Sequence, residues 1–261
     1  MRRVLALAVL ALSLAGCTTV PTPSNDPSKL VGLWRVGGVL GESPDTWLLL
    51  SDELILWSQC GVLTGSWDAR GDAFVAGIDG GIGEACMSAY VFDTAPWLTN
   101  AQGFAQTETG MALLDANGET LATLTIDGAP PTSENYIDEY TEQPTVNVTF
   151  DSAINVPEGV DVATDVVGRW IDPAHPDDGT YIEYRGDGKW SGSDGCNVFG
   201  GSYALGADGA LLTTTGPITL MGCDGSAIAY LPSSAALVGK TETGLTFYDA
   251  DGTAAIEVVP G

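Results

Sequence analysis

The feature that most constrains this chain is that its sequence is written twice. Val31-Gly32-Leu33-Trp34 returns as Val167-Gly168-Arg169-Trp170, an offset of 136. Cys60 and Gly65-Ser66-Trp67 return as Cys196 and Gly201-Ser202-Tyr203 at the same offset. Cys86 returns as Cys223 at 137, and Thr107-Glu108-Thr109-Gly110 as Thr241-Glu242-Thr243-Gly244 at 134. Asp115-Ala116-Asn117-Gly118 then matches Asp249-Ala250-Asp251-Gly252, again at 134. Five matches in unbroken order, with so little drift in offset, mark two copies of one unit. The copies span 30–126 and 165–260, and a stretch from 127 to 164 joins them. The fold must therefore fit within about 100 residues and be built twice.

Gly 34 and Pro 14, with few runs of helical period, favour many short strands and tight turns. Each copy opens on a strand carrying Gly-x-Trp, with Trp34 or Trp170 facing the core. A second strand follows, Thr46 to Leu50 in copy one and Tyr181 to Tyr184 in copy two. Asp187-Gly188 turns the chain into Lys189-Trp190-Ser191. Ser226 to Leu237 reads as a short helical stretch that Pro232 keeps from growing long. A hairpin closes the copy, Leu245 to Tyr248 and Ala255 to Val258, through the turn at Asp249. The fold class is mainly β with short helices (α+β). With 44% hydrophobic residues and seven tryptophans each copy can bury a core, and each is expected to fold by itself. The joining segment runs acidic from Glu134 to Glu142 and reads as a solvated linker. The alternation of Val146, Val148 and Phe150 permits one added strand there.

Arg2 and Arg3 precede an apolar run from Val4 to Ala15. Twelve residues fall short of the about 20 that cross a bilayer as helix, so the run reads as a signal segment. Leu14-Ala15-Gly16-Cys17 resembles the lipobox of bacterial lipoprotein precursors. That resemblance implies a signal peptide over 1–16, acylation of Cys17 and attachment to the extracytoplasmic face of the cell membrane. Residues 17–29, rich in Pro, Ser and Thr, then serve as a tether. Cleavage leaves seven basic residues against 34 acidic ones, a formal charge of −27. Such a surface repels nucleic acid and anionic headgroups, which excludes a nucleic-acid partner.

Copy two carries Gly168-x-Trp170, Gly195-Cys196-Asn197, Gly201-x-Tyr203 and Thr219-x-Met221-x-Cys223. In this order the motifs resemble the META domain, the HslJ-like family, across most of 165–260. Copy one is a degenerate version, with Gln59-Cys60-Gly61 and Ile82-Gly83-Glu84-Ala85-Cys86 at the corresponding places. The resemblance implies two small, incompletely closed (cracked) β-barrels, each with a helix packed across it. It implies envelope proteins tied to heat shock, stress and antibiotic tolerance, and it implies no enzyme. A similar barrel shape occurs in secretion pilotins, which bind lipid, but likeness of fold does not settle function.

Catalytic chemistry has few carriers. His175 is the single histidine, set among Asp172, Asp177 and Asp178 between two prolines, where an exposed acidic loop explains it without a metal. No nucleophile elbow, phosphate loop or dinucleotide fingerprint occurs. The aspartates at 115 and 249 lack the glycine spacing of a calcium loop and read as turns. Arg70-Gly71-Asp72 and Arg185-Gly186-Asp187 are ordinary turn composition. Gly195-Cys196-Asn197 could mark a reactive thiol, yet copy one keeps both cysteines while losing the flanking Gly and Asn. With Cys17 acylated, four cysteines allow three pairings. The equal register of 26 and 27 residues selects Cys60–Cys86 and Cys196–Cys223, in an oxidising exported setting. The expected role is binding without a cofactor: an envelope protein, or alternatively a lipid or small hydrophobic ligand in a barrel cavity. A carrier predicts a large apolar pocket inside one barrel, and a docking module an exposed apolar patch.

Overall fold

Alternating apolar residues bounded by Gly, Asp and Pro turns give the chain its strands, and the structure, a computed structural model, arranges them in two antiparallel sheets. It describes residues 25–59, 61–82, 95–130, 142–145, 147–150, 154–216, 218–219, 221 and 227–261. The signal segment, Cys17, Cys60, Cys86, Cys223 and most of the acidic run lie outside the described residues.

The first sheet takes eight strands in chain order: β1 (Gly32–Gly37), β2 (Trp47–Leu50), β3 (Leu54–Ser58), β4 (Gly61–Arg70), β5 (Ala73–Ile82), β6 (Gly103–Gln106), β7 (Gly110–Leu114) and β8 (Thr120–Thr125). β1 returns to β8 through Arg35↔Thr125, Val36↔Leu124 and Gly37↔Thr123, and a barrel closes. Its narrowest join is β5 to β6, a single pair, Ala73↔Gly103. The barrel is thus closed where incomplete closure was expected, though only just. A four-residue helix, α1 (Pro96–Thr99), buries Trp97 and Leu98 in the same core as Trp34, Phe74 and Phe104.

The second sheet adds β9 (Asp161–Val162), β10 (Gly168–Ile171), β11 (Thr180–Tyr184), β12 (Lys189–Asp194), β13 (Val198–Leu205), β14 (Leu211–Thr213), β15 (Leu237–Lys240), β16 (Leu245–Tyr248) and β17 (Ala254–Pro260). Its order is β14-β13-β12-β11-β10-β17-β16-β15-β9. β14 and β15 meet at one bridge, Ala210↔Leu237, with Leu211 N–H on Ala236 O and Val238 N–H on Gly209 O. The helical stretch is shorter than expected. A 3₁₀ turn (Ala227–Tyr230) runs into α2 (Leu231–Ser234), and Leu237 already begins β15.

Several contacts recur between the sheets at the sequence offsets. Trp34 Nε1 donates to Leu30 O at 2.7 Å, and Trp170 Nε1 to Val166 O at 2.8 Å. The indole folds back over the preceding glycine: a Cβ on Gly32 would lie 2.9 Å from the Trp34 ring. Trp34 is buried, whereas Trp170 is only half-buried. The β7–β8 ladder slips between Leu113 and Leu114, and the β16–β17 ladder between Phe247 and Tyr248. A Cβ on Gly65 would overlap Gly77 O, and one on Gly201 would overlap Thr214 O. Gly110 and Gly244 stand equally close to Leu124 O and Val258 O. The turns agree as well. Asp115 Oδ1 accepts the N–H groups of Asn117 and Glu119, and Asp249 Oδ1 those of Asp251 and Thr253.

The joining segment is not simply solvated. Gln143 binds both backbone groups of Leu33: Nε2 donates to the carbonyl, and Oε1 accepts the N–H at 3.0 Å. Its amide stands in for a strand where β8 has ended. Phe150 packs on Trp67 at 5.5 Å, and the described residues around it form no strand. β9 belongs to the second sheet, with Ala163 and Val166 in its core. The outer faces differ sharply. Leu33, Trp47, Leu49, Ile55 and Trp57 form a buried apolar cluster on β1–β3. By register, the second sheet places Arg169, Tyr181, Glu183, Ser191 and Ser193 there. The sheets dock through apolar residues, Ala73 and Val75 of β5 against Ala204 and Leu212.

Adding a methyl group at a close-approach glycine should push strands apart. Gly201→Ala is expected to cost about 1–3 kcal/mol in urea unfolding. Gly186→Ala, where a Cβ meets nothing within 4 Å, should stay within about 0.5 kcal/mol. Equal effects at the two positions would refute this role for Gly201.

Candidate functional site

The end of β12 and the start of β13 carry the Gly195-Cys196-Asn197 motif, and Asp194 organises it. Asp194 Oδ1 accepts the N–H of Cys196 at 2.9 Å and of Asn197 at 2.5 Å. Gly195 takes φ +91°, which L side chains rarely adopt, so the turn needs glycine. Asn197 then reaches across to Met221. Its Nδ2 donates to Met221 O at 3.1 Å, and Met221 N–H donates back to Oδ1 at 2.6 Å. Val198 N–H donates to Thr219 Oγ1 at 3.1 Å. Burial would raise the Asp194 pKa, but the N–H groups of Asn197 and Cys196 and the side-chain amide outweigh it and hold it below the ordinary value. Cys196 is disulfide-bonded, and its partner lies outside the described residues. The motif thus forms a latch between the β12–β13 turn and Thr219 and Met221, which follow β14 in the chain.

Other motif residues are structural in the same sense. Tyr203 OH donates to Arg185 O at 2.8 Å, and its ring meets Tyr184 edge-on at 4.9 Å. Burial pushes the Tyr203 hydroxyl up to about 12. Gly168 and Trp170 build the folded-back indole, and Gly201 the close approach. Beside the latch, Val198, Met221 and Tyr230 are exposed apolar side chains.

Space for a ligand lies between the sheets. Trp34, Leu48, Phe74 and Phe104 belong to the buried core of the first, and Ile182, Tyr184, Trp190 and Phe247 to that of the second. At the junction a cavity of about 320 Å³ opens, with Ile78, Thr99, Lys189, Trp190, Phe199 and Ser202 among its lining. Lys189 Nζ donates to Thr99 O at 2.7 Å and to Ser202 Oγ at 3.1 Å, so one ammonium ties both sheets together. Ser202 Oγ also donates to Thr99 O at 2.9 Å. The Thr99 hydroxyl is buried without a hydrogen-bond partner among the described residues. A second groove of about 590 Å³ is lined by Asp72, Asp115 and Asp165, the opposite electrostatic character. Sequence reasoning passed over Asp194, Lys189, Thr99 and Ser202. Only Asp194 left a signal, through its place two residues before the cysteine.

His175 stands apart from this junction. Its Nδ1 lies 2.8 Å from Asp172 Oδ2, and Asp172 Oδ1 caps the N–H of Ala174. Hydrogen bonding to Asp172 raises the imidazole above its ordinary 6.5. Burial pushes Asp172 up, but the bonds from His175 and Ala174 prevail and hold it low. No cluster of metal-ligating side chains occurs among the described residues.

Because the folded value of His175 is raised and that of Asp172 lowered, the stabilisation from this pair is complete below about 6.5 while Asp172 stays ionised, fades as pH climbs through the raised His175 value, and is lost in acid as Asp172 protonates. Proton NMR should follow this sole imidazole to a midpoint above 6.5, and Asp172→Asn should bring the midpoint down. An unchanged midpoint would break the assignment. Comparison with known families, curated proteins and solved structures finds no match to this chain.

Proposed function

We propose that this chain is a lipid-anchored extracytoplasmic protein of two repeated META-like β units, each with a packed helix. It works by binding rather than catalysis, in envelope homeostasis or stress tolerance. The observation that carries the binding reading is the junction cavity, which joins an apolar floor to a few convergent polar groups. Support for repeated units comes from the paired tryptophan bonds, ladder slips and aspartate turns. The Asp194–Asn197–Met221 latch gives the family motif a structural task. A second reading, docking of an envelope protein, is favoured by exposed Val198, Met221 and Tyr230 beside the latch.

Anchoring rests on Leu14-Ala15-Gly16-Cys17, since two acyl chains hold a protein where one does not. Cys17→Ser should leave an uncut precursor on a mass spectrum, and processing equal to the parent would sink the anchor.

The bridges are assigned as Cys60–Cys86 and Cys196–Cys223. Each closes a loop of similar length and should stabilise its unit by roughly 3–4 kcal/mol. Non-reducing peptide mapping should recover both linked pairs. A Cys60–Cys196 peptide would overturn the pairing.

A further inference from the structure

We infer that the junction between the two halves is a dimer interface built into one chain. The same strands of each copy meet across a pseudo-two-fold axis, and the joined pair, rather than either half, is the unit that folds. The inference rests on the repeat and goes beyond the binding reading above, since it holds whether or not a ligand enters the cavity.

Strand pairing fixes which residues are equivalent. Asp68 of β4 faces Val75 of β5, and Ala204 of β13 faces Leu212 of β14. Asp68 and Ala204 share the repeat offset of 136, so Val75 and Leu212 hold the same place in the two copies. Gly77 and Thr214 are equivalent by another mark. Each supplies the carbonyl that a Cβ on Gly65, or on its counterpart Gly201, would overlap.

These counterparts meet one another. Val75 and Leu212 belong to one buried cluster with Ala73 and Ala204. A Cβ on Gly77 would lie 2.5 Å from Thr214 Oγ1. A residue meets its own counterpart only beside the axis that relates the copies. The strand contacts make that axis two-fold, because β5 lies against β13, β14 against β4, and β5 against β14. The first two contacts exchange under the axis and the third maps onto itself, the pattern of an isologous interface.

Burial gives the junction its weight. Phe74 and Leu211 point into their own barrel cores, while Val75 and Leu212 point outward and are buried all the same. Separating the halves would bare that apolar surface to water. One polar contact breaks the symmetry: Lys189 Nζ donates to Thr99 O of the first half at 2.7 Å. The counterpart of Lys189 at the repeat offset is Glu53, so two first halves could not make this bond. The lysine therefore favours the unlike pair.

The test takes the full chain through a urea series and reads peptides of each half by hydrogen exchange and mass spectrometry. Both halves should lose protection at one shared midpoint. Val75→Asp, in the first half, should lower the midpoint of the second half by at least about 0.5 M urea, and Leu212→Asp should do the same to the first half. Val75→Ala and Leu212→Ala, which bury no charge, should move the distant half in the same direction by a smaller step, so the reading survives if an aspartate variant does not fold. Two midpoints in the parent chain, or substitutions that shift only the half that carries them, would overturn the inference. Neither result touches the anchoring or bridge measurements, so its failure is distinguishable from theirs.

Discussion

Eight short strands can close on themselves only where the backbone bends sharply, and this protein makes its bends with glycine. At Gly65, Gly110, Gly201 and Gly244 a facing carbonyl occupies the space a Cβ would need. Beside Gly65 the β4–β5 ladder slips its register, which coils the strand further. The first barrel closes where β5 meets β6, and the ends of the second sheet meet where Ala210, just before β14, bridges to β15. Each of those joins is one residue pair, so closure has little margin. The indoles of Trp34 and Trp170, hydrogen-bonded back to their own chains, fix where each sheet begins.

Within this shared plan the two halves have diverged in complementary ways. The second keeps the polar latch of Asp194 and Asn197 and a charged outer face. The first has Gln59 and Gly61 at the matching sequence positions and an apolar outer face of Leu33, Trp47, Leu49, Ile55 and Trp57. The docking surface uses Ala73, Val75, Ala204 and Leu212, apolar residues that bring strands from two sheets together. The junction cavity follows from that approach. The Thr99 carbonyl comes from the first half and the Lys189 ammonium from the second, so their bond exists only where the two halves meet.

The strands, hairpins and core tryptophans were legible because they depend on local patterns: alternation, Gly-x-Trp, and Asp-rich turns. The aspartate turns at 115 and 249 were read correctly for the same reason, each using its carboxylate on its own backbone. What stayed hidden depends on distant partners. Nothing local to Gln143 says that its amide will complete Leu33, 110 residues away. Nothing in Lys189 announces Thr99, 90 residues away. The helical stretch was overextended because Leu237 suits a helix face and a strand equally, and only its pairing with Tyr248 decides. Asp194 was passed over because an aspartate before a glycine looks like any turn residue until its carboxylate is seen capping Cys196 and Asn197.

The amide of Gln143 on Leu33 has a consequence for biogenesis. A chain made from its N-terminus presents β8 before Gln143 and Phe150 emerge. During that interval Leu33 keeps bare peptide groups and Trp67 lacks its aromatic neighbour. The N-terminal half is therefore completed only once the joining segment is available to dock on it.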